Sequence, residues 1–174
     1  MTGTTTMYLL RTLHVVVGAF WVGVVVFIAA FLVPSVRAAG PAGGVVMQQL
    51  VQVRRLSTWL VGAGVLTLLS GIALYWRDSA GFQSAWLGSG PGRAFGLGGV
   101  LGPEAIVVGT AVNSPTAREL EAITGRVAAA ARPPVPEEIA TIQRLQARLA
   151  RAMIVTAVLL LLASTAMAVA RYVP

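Results

Sequence analysis

Four uncharged apolar runs constrain this chain more than any motif in it. Positions 12–36, 56–76, 94–117 and 152–170 carry no Arg, Lys, Asp or Glu, with the one exception of Glu104. A helix needs about 20 residues, at about 1.5 Å each, to cross a hydrocarbon core of about 30 Å, and each run is of that length. Hydrophobic residues make up 56% of the chain and charged ones 11%, against about 25% charged in an ordinary soluble domain. The expected architecture is all-α: an integral membrane four-helix bundle with cytoplasmic helical extensions, its spans near 8–33, 56–76, 94–113 and 152–172 in a lipid bilayer. The competing reading of the N-terminus is a secretory signal cleaved near 36–40. Its apolar stretch is too long for that, and Arg11 sits inside it rather than ahead of it.

All thirteen basic residues are arginine and cysteine is absent, which removes disulfides, thiolate metal sites and thiol chemistry. With four spans, Arg11, Arg77, Arg93 and Arg171 fall on the side of the termini. The other nine arginines fall on the side of the 34–55 and 114–151 segments. The positive-inside rule then predicts extracytoplasmic termini. The net charge of +7 reads as membrane orientation, with no nucleic-acid partner.

The 114–151 segment predicts a helical hairpin. Leu120, Ile123 and Val127 form one helical stripe, and Ile139, Ile142, Leu145 and Leu149 another. Thr116 to Glu119 has capping-box spacing behind Pro115, Pro136-Glu137-Glu138 reads as a helix start, and the 132–136 segment breaks the chain between them. Nothing interrupts Glu137 to Arg171, so the second arm should continue into the fourth span as one helix of about 35 residues, about 52 Å long. Val45 to Gln52 suggests a similar continuation below the second span. The arginine-rich head so formed could dock anionic lipid headgroups or a partner, or simply be solvated.

Counted from the charged ends, His14, Thr67, Ser70, Ser164, Thr165 and Met167 should gather in the outer half of the bundle, with Glu104 about 16 Å deep, near the midplane. An ionisable group inside a membrane helix is a functional-site candidate by default. His14 and Met167 offer an imidazole and a thioether, a pair suited to haem iron or to copper. Against that stand a histidine bonded to a neighbouring helix and a methionine that only packs. Glu104 follows Gly102-Pro103 and the glycine-rich 96–99 stretch, so a broken or kinked helix is expected there. Its carboxyl could serve as a proton or ion relay, pair with His14 or Arg11, or stay neutral and bond across helices. Tyr8, Trp76 and Tyr172 suit an outer aromatic belt and Trp59 an inner one, whereas Trp21 is deep enough to face another helix or a ligand. No Walker loop, dinucleotide fingerprint, HExxH pair or serine elbow is present, and one histidine without cysteine nearly excludes a multi-ligand metal enzyme.

Leu13-His14 through Phe20-Trp21-Val22-Gly23, and Arg54-Arg55-Leu56-Ser57 through Thr67-Leu68-Leu69-Ser70-Gly71, resemble the CopD-like family of bacterial inner-membrane proteins. The ending Ala166-Met167-Ala168-Val169-Ala170-Arg171-Tyr172 is similar to that of small four-helix members of this group. The resemblance implies residence in the bacterial inner membrane and a tie to copper handling or to haem b. HemJ-type protoporphyrinogen oxidases share the first-helix features, but the lysine and second histidine of their third helix are replaced here by Gly102-Pro103-Glu104, which argues against that enzyme activity. Three readings follow. The first is a protein that binds haem or copper through His14. The second is an accessory subunit, in a homo-oligomer or a larger membrane complex. The third is a small proton- or cation-coupled transporter using Glu104.

Overall fold

The computed structural model describes residues 3–130 and 132–174, and no strand occurs among them. Eight α-helices follow one another: α1 (Gly3–Phe27), α2 (Val33–Ala38), α3 (Pro41–Gln48), α4 (Leu56–Asp78), α5 (Ser84–Leu87), α6 (Gly90–Val108), α7 (Ser114–Ala129) and α8 (Pro136–Val169). Three π turns, Ile28–Leu32, Gln49–Val53 and Gly109–Asn113, join or end them. The result is four helical rods, Thr4–Ala38, Leu56–Asp78, Gly90–Ala129 and Pro136–Tyr172, each long and apolar enough to cross a membrane. The valine-rich first run would favour a strand in water. In hydrocarbon only a helix satisfies every backbone group within one segment.

The rods pack as two tight pairs, α1 with α4 and α6 with α8, joined more loosely to each other. Where they meet, Trp21 and Val25 of α1, Ala63 of α4, Ala105 of α6 and Ala157 and Leu160 of α8 form one buried cluster. Small residues set the spacing. A Cβ on Gly64 would stand 3.0 Å from the Trp21 ring, and one on Gly98 would stand 2.7 Å from the Met167 side chain. Trp21 thus faces a neighbouring helix. Tyr8, Trp59, Trp76 and Tyr172 are exposed.

Two expectations about helix ends need correction. The helices of the first and third spans run past 33 and 113 and on through Pro34 and Pro115. A helical proline lacks an N–H and crowds the carbonyl four residues back, here those of Ala30 and Ala111. Both carbonyls lie inside π turns, where Val33 N–H bonds Ile28 O and Ser114 N–H bonds Gly109 O, so the wider ring accommodates the proline without breaking the rod. Consequently Thr116 is no cap: it is buried within the continuing helix, and its hydroxyl finds no partner. The segment below the second span is helical as expected but is not continuous with it. Arg55 takes a left-handed conformation, φ 52°, and separates the π turn from α4.

The hairpin and the long fourth helix match expectation. The Val135 N–H donates to Glu138 Oε2 at 2.9 Å, and Arg132 pairs with the same carboxylate at 2.9 Å. Together these hold the Glu138 carboxyl below the ordinary carboxylate range, the Arg132 hydrogen bond contributing most. From Pro136 the helix runs 34 residues to Val169. Arg37 donates to the Gln146 carbonyl and Gln52 to Glu121, tying the segments beyond the first span to both arms of the hairpin. On α8 the guanidinium-bearing positions Arg144, Arg148 and Arg151 are exposed on one stripe.

Candidate functional site

His14 lies three residues past Arg11 and about three turns into α1, half-buried against α4. Its Nδ1 is 2.9 Å from the Thr67 carbonyl oxygen and 3.2 Å from Ser70 Oγ. Glycine makes this approach possible: a Cβ on Gly71 would stand 2.9 Å from His14 Cε1, and one on Gly18 would stand 3.3 Å from Thr67 Cγ2. A carbonyl oxygen can only accept, so the nitrogen facing it carries the proton. Ser70 in turn directs its hydroxyl to the Leu66 carbonyl at 2.7 Å and presents a lone pair to the ring. Neutral His14 is therefore the Nδ1–H tautomer, and the free lone pair of the imidazole is on Nε2. Beside it Thr67 Oγ1 is buried without a hydrogen-bond partner.

Toward the end of the bundle that holds both termini, Arg11 pairs with Asp78 at 3.0 Å, linking α1 to the end of α4. Arg11 also lines a shallow cleft with Thr4, Met7, Tyr8 and Arg77. Aromatic side chains close the neighbouring loop: Trp86 meets Tyr75 edge-on at 5.0 Å between ring centres, Phe82 meets Trp76 at 5.0 Å, and the Tyr75 hydroxyl donates to the Gly92 carbonyl at 3.0 Å.

The expected gathering of polar groups is only partly realised. His14, Thr67 and Ser70 come together. Met167 does not join them: it packs from α8 onto Gly98 of α6, in the other helix pair. Ser164 and Thr165 are exposed, and Thr165 bonds back to the Leu161 carbonyl. Among the described residues no group of three or more His, Asp or Glu side chains could hold a metal ion.

Glu104 also lies elsewhere, and its helix is not broken. α6 continues through Pro103; the carbonyl that the proline ring crowds belongs to Gly99, where no Cβ adds to the congestion. The next residue, Ala105, is 1% exposed in the core. One residue is about 100° of helix, and Glu104 is accordingly exposed. The cation and the imidazole of the first span are occupied by Asp78 and by Thr67 and Ser70.

A second polar contact, invisible in the spacing of the sequence, sits at the other end of the α6–α8 pair. Asn113 Nδ2 donates to Thr156 Oγ1 at 3.2 Å, and Thr156 donates to the Ala152 carbonyl at 2.9 Å. Asn113 Oδ1 and Thr116 Oγ1 are buried there without partners. The paired Pro115 and Gly109 were the signal for an irregular turn; that it would turn Asn113 toward α8 depends on tertiary packing.

No protein-family model matches the chain, and no match arises among curated proteins or solved structures. The resemblance to CopD-like and HemJ-type proteins thus rests on the short motifs around His14, from Arg54-Arg55 to Gly71, and in the 166–172 ending.

Proposed function

We propose that this chain is a multi-pass protein of the bacterial inner membrane, termini outward, that binds haem b through His14 in the outer half of the bundle. One observation carries the reading. Histidines that ligate metals almost always donate their other ring N–H to a carbonyl, carboxylate or water, which fixes the ring and raises its basicity. His14 does this to the Thr67 carbonyl, which leaves Nε2 as the ligating atom. Haem iron needs only one axial imidazole from the protein, whereas copper sites draw on several soft or imidazole ligands. Met167 is held against Gly98 and cannot complete such a set within one chain as it stands, which favours haem over copper. The role proposed for the site is ligand binding.

An absorption spectrum and metal analysis of the purified protein test this. A Soret band is expected that is lost in His14→Ala and retained in Met167→Leu. Gly71→Ala, whose methyl would press on His14 Cε1, should shift or weaken the band while helix content is kept. Copper without a Soret band, or a band indifferent to His14→Ala, would overturn the haem reading.

A second reading, an accessory subunit of an assembly, is favoured by Glu104, an exposed carboxyl in the middle of an apolar helix. The same placement withdraws support from a proton or cation relay through a single bundle, because the carboxyl is outside the core.

A further inference from the structure

Glu104 lies eleven residues past Arg93, about 16 Å along the helix and so near the middle of a bilayer of about 30 Å. Around it on the exposed face of α6 stand Leu97, Val100 and Val107, each more than half exposed, with Ala111 one further turn along. No hydrogen bond or ion pair engages the Glu104 side chain among the described residues. A polar group in hydrocarbon costs several kcal/mol unless it is partnered, and lipid tails offer no partner. From Leu97 to Ala111 the face is otherwise apolar, and the one charge on its line, Arg93, is exposed a turn beyond Leu97 at the end of the helix.

We propose that this face is where two copies of the chain meet, α6 against α6, with the two Glu104 carboxyls hydrogen-bonded to each other. This rests on the membrane-spanning part of the reading above and not on haem. Three arguments select a second copy. Copies inserted in the same orientation pack α6 beside α6 in parallel around a two-fold axis along the membrane normal, so residues of equal depth meet and Glu104 faces Glu104. A protonated carboxyl has one donor and free acceptor capacity, and its own twin complements both. A two-fold interface needs a patch that is complementary to itself, and an apolar stripe with one central neutral acid meets that condition. A foreign helix would have to place a polar side chain of its own at this same depth, where such groups are costly, whereas a second copy brings one there by symmetry.

The absence of cysteine makes the test direct. Single-cysteine variants Val100→Cys and Val107→Cys, oxidised in native membranes, should give disulfide-linked dimers in high yield. Phe20→Cys and Leu162→Cys, exposed on other helices, should give little. In the Val100→Cys background, Glu104→Gln keeps a donor and an acceptor and should preserve the dimer, whereas Glu104→Leu should weaken self-association about eightfold, the loss of two carboxyl–carboxyl hydrogen bonds of about 0.6 kcal/mol each. Cross-linking at Val100 and Val107 no stronger than at Phe20 would overturn the proposal. So would a stoichiometric foreign subunit cross-linking to Val100→Cys in place of a second copy. Carbonate extraction reports membrane residence separately, and the Soret band of Glu104→Leu reports His14 separately, so failure of the dimer is distinguishable from failure of either.

Discussion

The α1–α4 and α6–α8 pairs both bring their helices together over glycine, yet they spend the closeness differently. In the first, Gly71 and Gly64 admit the His14 imidazole and the Trp21 indole, and hydrogen bonds to Thr67 and Ser70 hold the imidazole. In the second, Gly98 admits the unbranched Met167 side chain and the Ala163 backbone, and the side-chain hydrogen bond of that pair is displaced to Asn113 and Thr156 at its far end. Close approach is thus a general means of pairing membrane helices; what fills the space decides whether the pair is a site or a joint.

The comparison is broken most severely at Gly98. Gly98→Ile would place atoms within 3.1 Å of both the Met167 side chain and the Ala163 carbonyl oxygen, and overpacking of this kind costs about 1–3 kcal/mol. A lowered thermal midpoint in detergent is expected, partly recovered by adding Met167→Ala. If the double variant were no more stable than the single one, Met167 would not be the filler of that space.

A finer contrast lies in the threonines. Thr156→Val should cost about 0.6 kcal/mol, a typical membrane hydrogen bond, because Asn113 Nδ2 is left buried without its acceptor. Thr67→Val should be neutral or stabilising, since it removes a buried hydroxyl that makes no bond. Unfolding measured on the two variants side by side checks both signs. A marked loss from Thr67→Val would mean that its hydroxyl serves the His14 site.

The smallest effect concerns the hairpin, outside both pairs. Glu138 is depressed in the folded chain by Arg132 and the Val135 amide, so its contribution is fully present above the unfolded glutamate value of about 4.3 and fades as pH falls through the lower folded value. The protection factor of the Ile139 amide, whose N–H bonds the Val135 carbonyl, should fall on acidification in the wild type and stay level in Glu138→Gln. Equal pH dependence in both would place the titrating group elsewhere.

The length of the spans, the long fourth helix and the start at Pro136 are legible in the sequence because they are one-dimensional features: counts between charges and the residues that cap or break. Azimuth is not legible. A helix with a polar side reveals its buried face by polarity, but in a bundle this apolar throughout Leu97 and Val107 outside are as apolar as Ala105 within, so periodicity carries no sign. That is why the depths of His14, Met167 and Glu104 could be counted while their grouping could not. Pro115 reads as the lead into a helix start, and only the packing of the surrounding helices makes a π turn the outcome there and at Pro34.

That outcome makes the molecule sensitive to length where it is tolerant of chemistry. A π turn is one residue more than an α-helical count, and one residue is about 100° of rotation. Everything beyond 109–113, including the buried Thr116 and Ile123 of α7, is therefore turned by that angle from where an uninterrupted α6 would put it. The bearing of the arginine-rich head on the bundle is accordingly set in whole-residue steps: substitutions in the turn leave it in place, whereas gaining or losing a single residue there would swing it a quarter of the way round.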